Sequence, residues 1–294
     1  DESEHARFRV FRFDAPLELS DVLPKFENLG LRVIGERPYE VERRDHEMIW
    51  LHDFYIRVSG VSNEDIDRRS GKVQEAFEAV WNGSTEDDRF NTLVLTAGLE
   101  WQKVAILRSY ARYMFQIQFG FSLDYIAETL TVHSEIAAKL VALFESYFDP
   151  EAVDNDRTKS IKTELNEAIE QVESLDEDRI LRRFVSLIDG TVRTNFYKPT
   201  RSGEPRSVLS FKLNTRSIPD IPKPKPFFEI FVCSPRTEGV HLRGGPVARG
   251  GLRWSDRFED FRTEVLGLVK AQQVKNSVIV PQGAKGGFVA RQTD

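Results

Sequence analysis

The sequence is nearly free of cysteine. Its single cysteine, Cys233, excludes an internal disulfide framework and any metal site built from several thiolates. Because Cys233 follows the apolar stretch 227–232, we expect it to be a small buried side chain. The acidic runs 86–88 and 176–178 are typical of helix N-termini, where carboxylates meet the helix dipole. We therefore predict no metal site.

Long apolar runs are missing as well. No stretch approaches the roughly 20 consecutive apolar residues of a membrane-spanning helix, and no secretory signal peptide is visible. We therefore predict a cytoplasmic protein with no membrane partner. The chain has 294 residues, 40% hydrophobic and 30% charged, which favours two or three globular domains. It begins without Met and stops seven residues after Gly287, so we expect a piece of a longer chain.

Two phosphate-binding signatures are also lacking. Neither G-x-x-x-x-G-K-[ST] nor G-x-G-x-x-G occurs in the chain, so the residues alone predict no nucleotide site. A nucleic-acid partner is not favoured, because the formal net charge is −6 and the one basic stretch is interrupted by acidic residues.

Glycine and positive charge are concentrated near the C-terminus. Nine of the 18 glycines lie between Gly239 and Gly287. Residues 236–294 contain ten Lys or Arg and six Asp or Glu, a local charge of +4. Because the whole chain has a net charge of −6, residues 1–235 carry −10. A glycine-rich, locally basic segment in an acidic protein indicates a place where backbone and cations approach an anion.

This segment contains one predicted helix. Asp256 and Glu259 have the spacing of a capping box at a helix start. The side chains expected on one helix face, at spacings of 4, 3, 4 and 3, are Phe261, Val265, Leu268, Gln272 and Lys275. The last two are polar and need partners if that face is buried.

A predicted strand and a turn follow the helix. Residues 278–280 form a short apolar run before Pro281, and residues 282–287 are predicted to form a turn that holds Lys285 among glycines. A lysine in such a turn is often simply solvated, so the prediction of a site depends on a combination of residues. The combination suits a dicarboxylate and consists of Arg249, Gly250, Gly251, Gln272, Lys275, Gly283, Lys285, Gly286 and Gly287.

Three motifs in this segment resemble the substrate-binding segment of glutamate dehydrogenases. They are A-R-G-G-L-R-W over residues 248–254, Q-x-x-K over 272–275 and P-x-G-A-K-G-G over 281–287. Two longer stretches are closer still to the large bacterial NAD-specific glutamate dehydrogenases. They are E-G-V-H-L-R-G-G and V-K-N-S-V-I-V-P-Q-G-A-K-G-G-F.

The resemblance implies roles for four side chains. Lys285 would be the catalytic lysine that activates water, and Gln272 with Lys275 would hold the α-carboxylate end of the substrate. Arg249 would stand where short members of the family have a lysine that meets the distal carboxylate. Arginine and lysine are not interchangeable there, and the loop before Lys285 has one glycine where the short enzymes have two. We interpret both differences as traits of the large subfamily.

The implied reaction is oxidative deamination of L-glutamate to 2-oxoglutarate and ammonia, with hydride transfer to NAD. We expect the NAD site to lie mostly outside this chain, because no strand–G-x-G-x-x-G–helix unit is present. The chain alone is therefore expected to be inactive. For the full-length enzyme the resemblance implies a homo-oligomer.

The N-terminal region predicts a different unit. The pattern over residues 8–82 is strand, helix, two strands and helix, the order of a ferredoxin-like split β-α-β sheet, with Ser20 as the cap of the first helix. It resembles the ACT-type regulatory domains of the large dehydrogenases, which implies either an amino-acid effector or a role in subunit packing. The alternative function is therefore an amino-acid-sensing regulatory or assembly module without catalysis.

The predicted fold class is multidomain, α+β and α/β. We predict an ACT-like domain over 1–85, a helical domain over 86–197 whose last helix runs to about Thr194, and the start of the catalytic domain over 198–294. Strands predicted at 208–213 and 227–232 are expected to join the sheet that carries the glycine-rich segment.

Overall fold

A computed structural model describes most of the chain. The described residues are 6–13, 15–42, 48–151, 154–203, 206–246, 250–275 and 283–291. The chain forms two compact units, Asp1–Val104 and Ala105–Asp294. The boundaries of the three domains predicted from the sequence stay predictions.

The first unit begins with the expected order of strands and helices. Its first five elements are β1 (Ala6–Phe13), α1 (Leu19–Asn28), β2 (Arg32–Glu42), β3 (Met48–Arg57) and α2 (Asn63–Trp81). The strands form one antiparallel sheet in the order β1-β3-β2. The ring of Phe26 from α1 lies 5.0 Å from Phe8 of β1 and 5.1 Å from Phe77 of α2, so both helices cover the same sheet face. The predicted ferredoxin-like unit is confirmed.

The cap predicted for α1 is wrong. Ser20 lies inside the helix, and Glu18 occupies the N-cap position without a side-chain cap. The reason is a tertiary contact, since the backbone N–H of Leu17 donates to Nε2 of the buried His52 at 2.9 Å. That bond fixes the chain just before the helix, which makes a local serine cap unnecessary.

The first unit continues into short helices. A 3-10 helix (Arg89–Asn91) leads to α3 (Thr92–Thr96) and then to α4 (Trp101–Gln116), which belongs to the second unit from Ala105 onwards. Glu100 lies just before α4 and contacts Lys72 Nζ at 2.7 Å and Lys103 Nζ at 2.9 Å. Burial alone would raise the pKa of Glu100, but the two ammonium groups outweigh it and lower that pKa to about 2.

The second unit combines helices with a six-stranded sheet. Its further helices are α5 (Leu123–Val132), α6 (Ser134–Phe148), α7 (Asn155–Glu170), α8 (Leu175–Gly190) and α9 (Phe261–Lys275). Its strands are β4 (Thr191–Thr194), β5 (Leu209–Leu213), β6 (Phe228–Cys233), β7 (Thr237–Arg243), β8 (Leu252–Trp254) and β9 (Ala284–Ala290). The sheet order is β4-β5-β6-β7-β9-β8, and only β8 and β9 pair in parallel.

This sheet confirms two of the sequence predictions. The strands expected near 208–213 and 227–232 are β5 and β6, and they share a sheet with β8 and β9 of the glycine-rich segment. Cys233 is buried, at 3% exposure. Helix α4 covers one face of the sheet, because Tyr110 stacks on Phe211 at 4.6 Å and Tyr113 lies 5.4 Å from Phe231.

The predicted end of the last helix of the central region is wrong. Helix α8 stops at Gly190, and the four residues that follow form β4. A side chain at Gly190 would lie 2.5 Å from Cγ1 of Ile218, and the Gly190 carbonyl accepts a bond from the Asn214 N–H at 2.8 Å. The close approach of β5 and its following turn therefore ends the helix, and β-branched Thr191 favours the strand.

Candidate functional site

Helix α9 starts later than predicted. It begins at Phe261, whereas the capping-box spacing placed the start at Asp256. Asp256 is not the cap, because α9 begins five residues later. Ser255, just after β8, donates from Oγ to Glu264 Oε2 at 2.7 Å. Residues 258–260 form a turn, and the Asp260 carbonyl accepts the Glu264 N–H at 3.2 Å. The end of β8 is thereby tied directly to the first turn of the helix.

The apolar side of α9 is buried as its spacing predicts. Phe261 is 0% exposed, Val265 2% and Val269 1%, and Leu268 is half-buried. Gln272 follows on this side near the end of the helix and is half-buried. Its amide oxygen Oε1 is buried and has no hydrogen-bond partner within the described part of the chain. Such an oxygen costs free energy until a donor reaches it.

A buried ion pair anchors the first turn of α9. Arg262 donates from Nε and Nη2 to the two carboxylate oxygens of Glu229, both at 2.7 Å, and both side chains are 0% exposed. Tyr113 of α4 donates to the same carboxylate at 3.0 Å, and Gln116 Oε1 accepts the Arg262 N–H at 3.3 Å. Burial alone would lower the pKa of Arg262, but Glu229 raises it above its ordinary value. Helix α9 is thus locked to β6 and α4.

The sequence interpretation did not single out Arg262 or Glu229. The available signal was Glu229 itself, a carboxylate inside the apolar run F-F-E-I-F-V-C. In a strand buried on one face, such a carboxylate needs a paired cation. Nothing in the local sequence indicates that the cation comes from position 262.

Lys285 was predicted to lie in a turn, but it lies in a strand. It is the second residue of β9, opposite Leu242 of β7, and it is half-buried. Gly286 and Gly287 continue the strand between β7 and β8. A side chain at either glycine would lie within 2.4 Å of Leu252 or Val265. These glycines therefore serve close packing of a strand rather than a turn.

Two further glycines bring the site residues together. A β-carbon on Gly250 would lie 1.5 Å from the carbonyl oxygen of Ala284, and one on Gly283 would lie 2.3 Å from the Gln272 amide. Gly251 is different, since a β-carbon there would meet nothing within 4 Å, but its carbonyl accepts the Gly286 N–H at 3.1 Å. The start of β8, the end of α9 and the start of β9 therefore meet around residues 283–286.

One predicted site residue is not described, and another is described only in part. Arg249 and the predicted strand 278–280 lie outside the described residues. Lys275 is the last residue of α9, three positions after Gln272, and only its backbone is described. The structure thus places the Gln272 amide against Gly283, and Gly250 against Ala284, the residue before Lys285.

The strand residue after Lys285 faces the other side of the sheet. His241 of β7 lies opposite Gly286, and its Cδ2 would be 3.1 Å from a β-carbon there. Burial and the neighbouring Arg243 lower the pKa of His241, so it is neutral at physiological pH. Across the described ranges, no group of three His, Cys, Asp or Glu residues could hold a metal ion, and no helix is long and apolar enough to cross a membrane. An amide and an amine beside glycine-bearing backbone can instead bind a small polar molecule.

Three family models match successive parts of the chain. Residues 164–294 match the family model described as bacterial NAD-glutamate dehydrogenase, catalytic domain. Residues 85–150 match glutamate dehydrogenase, helical motif 3, and residues 1–69 match glutamate dehydrogenase, ACT3 domain.

Similar full-length proteins are NAD-specific glutamate dehydrogenases. The chain is 53% identical to that of Halomonas elongata over 99% of its own length, and 54% identical to that of Pseudomonas aeruginosa over 97%. It is 46% identical to that of Mycobacterium tuberculosis over 99%. In each case it spans 18% of the relative's length.

The three matched models follow one another along the chain and define a class, the dehydrogenases of amino acids. Within that class the chain belongs to the bacterial NAD-specific glutamate dehydrogenase family, of which it represents one part.

Proposed function

We propose that this chain supplies the substrate site of an NAD-dependent glutamate dehydrogenase that binds L-glutamate and 2-oxoglutarate. The observation that carries the proposal is the buried amide oxygen of Gln272, which lies against Gly283, two residues before Lys285, and has no donor among the described residues. A bound substrate with N–H groups supplies that donor.

Gln272 fits the α-carbon end of an amino acid. Its amide oxygen accepts a hydrogen bond from an amino group, and its amide nitrogen donates to a carboxylate. Because Gly283 has no side chain, the amide can rest directly on the backbone at the start of β9. On this proposal Lys275 adds a cation for the α-carboxylate, and Arg249 contacts the distal carboxylate.

Lys285 is proposed as the catalytic residue. In oxidative deamination, water attacks the carbon of the iminium formed from glutamate, and a base must take a proton from that water. Lys285 is half-buried at the start of β9, next to the position that Gln272 assigns to the α-carbon. General-base catalysis of this kind contributes about 10²–10⁴-fold.

NAD does not fit the residues of this chain. A dinucleotide site needs a strand, a G-x-G-x-x-G turn and a helix, and the sequence has no such motif. We propose that NAD, the cofactor in the names of the relatives, binds in a part of the longer enzyme outside these 294 residues. The isolated chain should therefore produce no NADH from glutamate and NAD.

The test replaces Lys285 in the full-length enzyme. Lys285→Ala should lower kcat by about 10²-fold or more while the protein keeps its circular dichroism spectrum. Lys270→Ala is the matched control, because Lys270 is an exposed lysine of α9, and it should leave kcat within about twofold. Equal activity of both variants would show that Lys285 is not the catalytic base.

The remaining predictions concern the longer protein. An amino-acid effector at the ACT-like unit, a homo-oligomeric assembly and a purely regulatory role of this chain stay hypotheses. None has a specific supporting contact in the described residues, so the substrate site is the function that the geometry favours.

A further inference from the structure

The sheet of the first unit has three strands among the described residues. A complete β-α-β-β-α-β fold has a fourth strand after its second helix, paired to the first strand. Here α2 is followed by a turn and the 3-10 helix, and β1 pairs only with β3 among the described residues. One edge of β1 therefore presents unpaired backbone groups, which is a template for another strand.

A groove runs along that free edge. It has a volume of about 510 Å³ and lies between β1 and the C-terminal half of α2. All six consecutive residues 7–12 of β1 line it, so the strand backbone itself borders the groove. Six strand residues at about 3.3 Å each give the groove a length of roughly 20 Å. This length fits a strand of five or six residues.

The groove has an apolar floor and a cationic rim. Its floor includes Phe8 and Phe77, which pack on each other at 5.1 Å, and Trp81, a large aromatic that stays 37% exposed. Its charged lining residues are three arginines and one acid, namely Arg7, Arg9, Arg12 and Glu78. The excess of +2 lies in a chain whose total charge is −6. The charge of this groove thus complements an acidic segment.

A second copy of β1 is a poor occupant. In an antiparallel pair of two β1 edges centred on Arg9, the two Arg9 side chains would lie opposite each other on the outer face. Like charges directly opposite each other destabilise a strand pair. Asp53 offsets only part of this charge, since it already pairs with Arg7 and lies 3.5 Å from Arg9.

We propose that the groove along β1 receives a fourth strand, an extended segment with carboxylates, supplied by the part of the glutamate dehydrogenase polypeptide outside these 294 residues. The source follows from length, because the chain spans only 18% of its relatives. The inference depends on family membership and not on the substrate site proposed above. Main-chain hydrogen bonds to β1 give affinity, and side-chain pockets give specificity.

The groove also determines the pattern of the missing strand. Side chains alternate between the two faces of a sheet. Every second residue should be apolar and point toward Phe77 and Trp81 of α2. The residues between them should include Asp or Glu, which would lie across from Arg7 and Arg9 on the outer face.

The first experiment uses the 294-residue chain and an eight-residue peptide of alternating valine and glutamate. Binding is measured by fluorescence anisotropy, and amide hydrogen exchange of residues 6–13 is measured by mass spectrometry. We expect saturable binding and slower exchange in β1. The same peptide, N-methylated at every residue, has no N–H group to donate to β1 and should bind at least tenfold more weakly. Equal binding of both peptides, or unchanged exchange in β1, overturns the proposal.

Matched variants on α2 locate the binding. Gln74 lines the groove and is exposed, whereas Glu75 beside it is exposed but does not line the groove. Gln74→Trp should fill the groove and weaken peptide binding at least tenfold, and Glu75→Trp should change it less than twofold. Both side chains are exposed, so both variants should fold. Equal effects of the two variants contradict binding in this groove.

The second experiment identifies the source in the full-length enzyme. Gln74 is replaced by the photo-crosslinking residue benzoylphenylalanine, and the product is mapped by mass spectrometry. We expect a crosslink to a segment outside these 294 residues with the alternating pattern described above. A crosslink only to a second copy of residues 1–294 contradicts the proposal. So does a free amino acid that blocks the crosslink without slowing exchange in β1, because the groove would then be an effector site.

Discussion

Helix α9 should depend on the buried pair of Arg262 and Glu229 far more than on any exposed ion pair. Arg262→Met leaves the Glu229 carboxylate buried without its cation, and breaking a buried pair in this way costs about 3–5 kcal/mol. Arg257, in the turn before the helix, donates from Nε to Asp260 at 2.8 Å but is 49% exposed in its side chain. Its replacement by Met should cost at most about 1 kcal/mol.

A double variant separates charge from packing. Glu229→Gln removes the carboxylate charge but keeps an oxygen that can accept from the Tyr113 hydroxyl. Combined with Arg262→Met, it leaves no buried charge at the start of α9. The two single changes should therefore be strongly non-additive, with the double variant losing at least about 2 kcal/mol less than the sum of the two single losses.

Urea denaturation measures these differences. With a slope of about 2–3 kcal/mol per molar, Arg262→Met should lower the unfolding midpoint by roughly 1–2.5 M. Because the chain has two compact units, hydrogen exchange of peptides from α9 and β6 should be followed in parallel, so that the second unit is measured separately. If Arg262→Met costs no more than Arg257→Met, the pair does not anchor the helix.

Two further predictions concern a close backbone approach and a titration. Gly250→Ala should destabilise the second unit by about 1–3 kcal/mol or more, because a β-carbon would lie 1.5 Å from the Ala284 carbonyl oxygen. Gly251→Ala is the control and should be neutral within about 0.5 kcal/mol. Equal unfolding midpoints of the two variants in urea would contradict the close approach of Gly250 to Ala284. The lowered pKa of Glu100 stabilises the fold fully above its ordinary value of 4.5, and this contribution is lost as the pH falls toward about 2. Glu100→Gln should therefore destabilise the first unit by about 1 kcal/mol at pH 7, allowing for solvent screening, and by nothing near pH 2; a difference that does not change with pH would refute this origin.

Several elements could be predicted from the sequence because their signals are local. The pattern over residues 8–82 predicts a helix as its last element, and α2 occupies that place from Asn63 to Trp81. Its cap is the neighbouring Ser62, whose hydroxyl accepts the Asp65 N–H at 3.2 Å, and its apolar spacing is regular. Strands β5 and β6 were predicted within one residue of their bounds, because turn residues and a proline-rich stretch flank their apolar runs.

The candidate site was predictable only as a set of residues. The motifs around Gln272 and Lys285 indicate the family, and the comparisons confirm that family. The same motifs gave the wrong local structure for Lys285, because a glycine-rich run is typical of turns. In the folded chain, Gly286 and Gly287 belong to a strand that Leu252 and Val265 approach closely. A neighbouring strand and helix outweighed the local preference.

The sequence by itself determined the order of the elements, the charge distribution and the family motifs, since these depend on residues close together in the chain. Only the tertiary structure decided which distant groups meet. Glu229 pairs with a cation 33 positions away, and among the described strands β1 pairs along one edge only, with a groove beside the other edge. Both features arise from packing between elements, and the free energy of burying a charge or leaving a strand edge open depends on that packing.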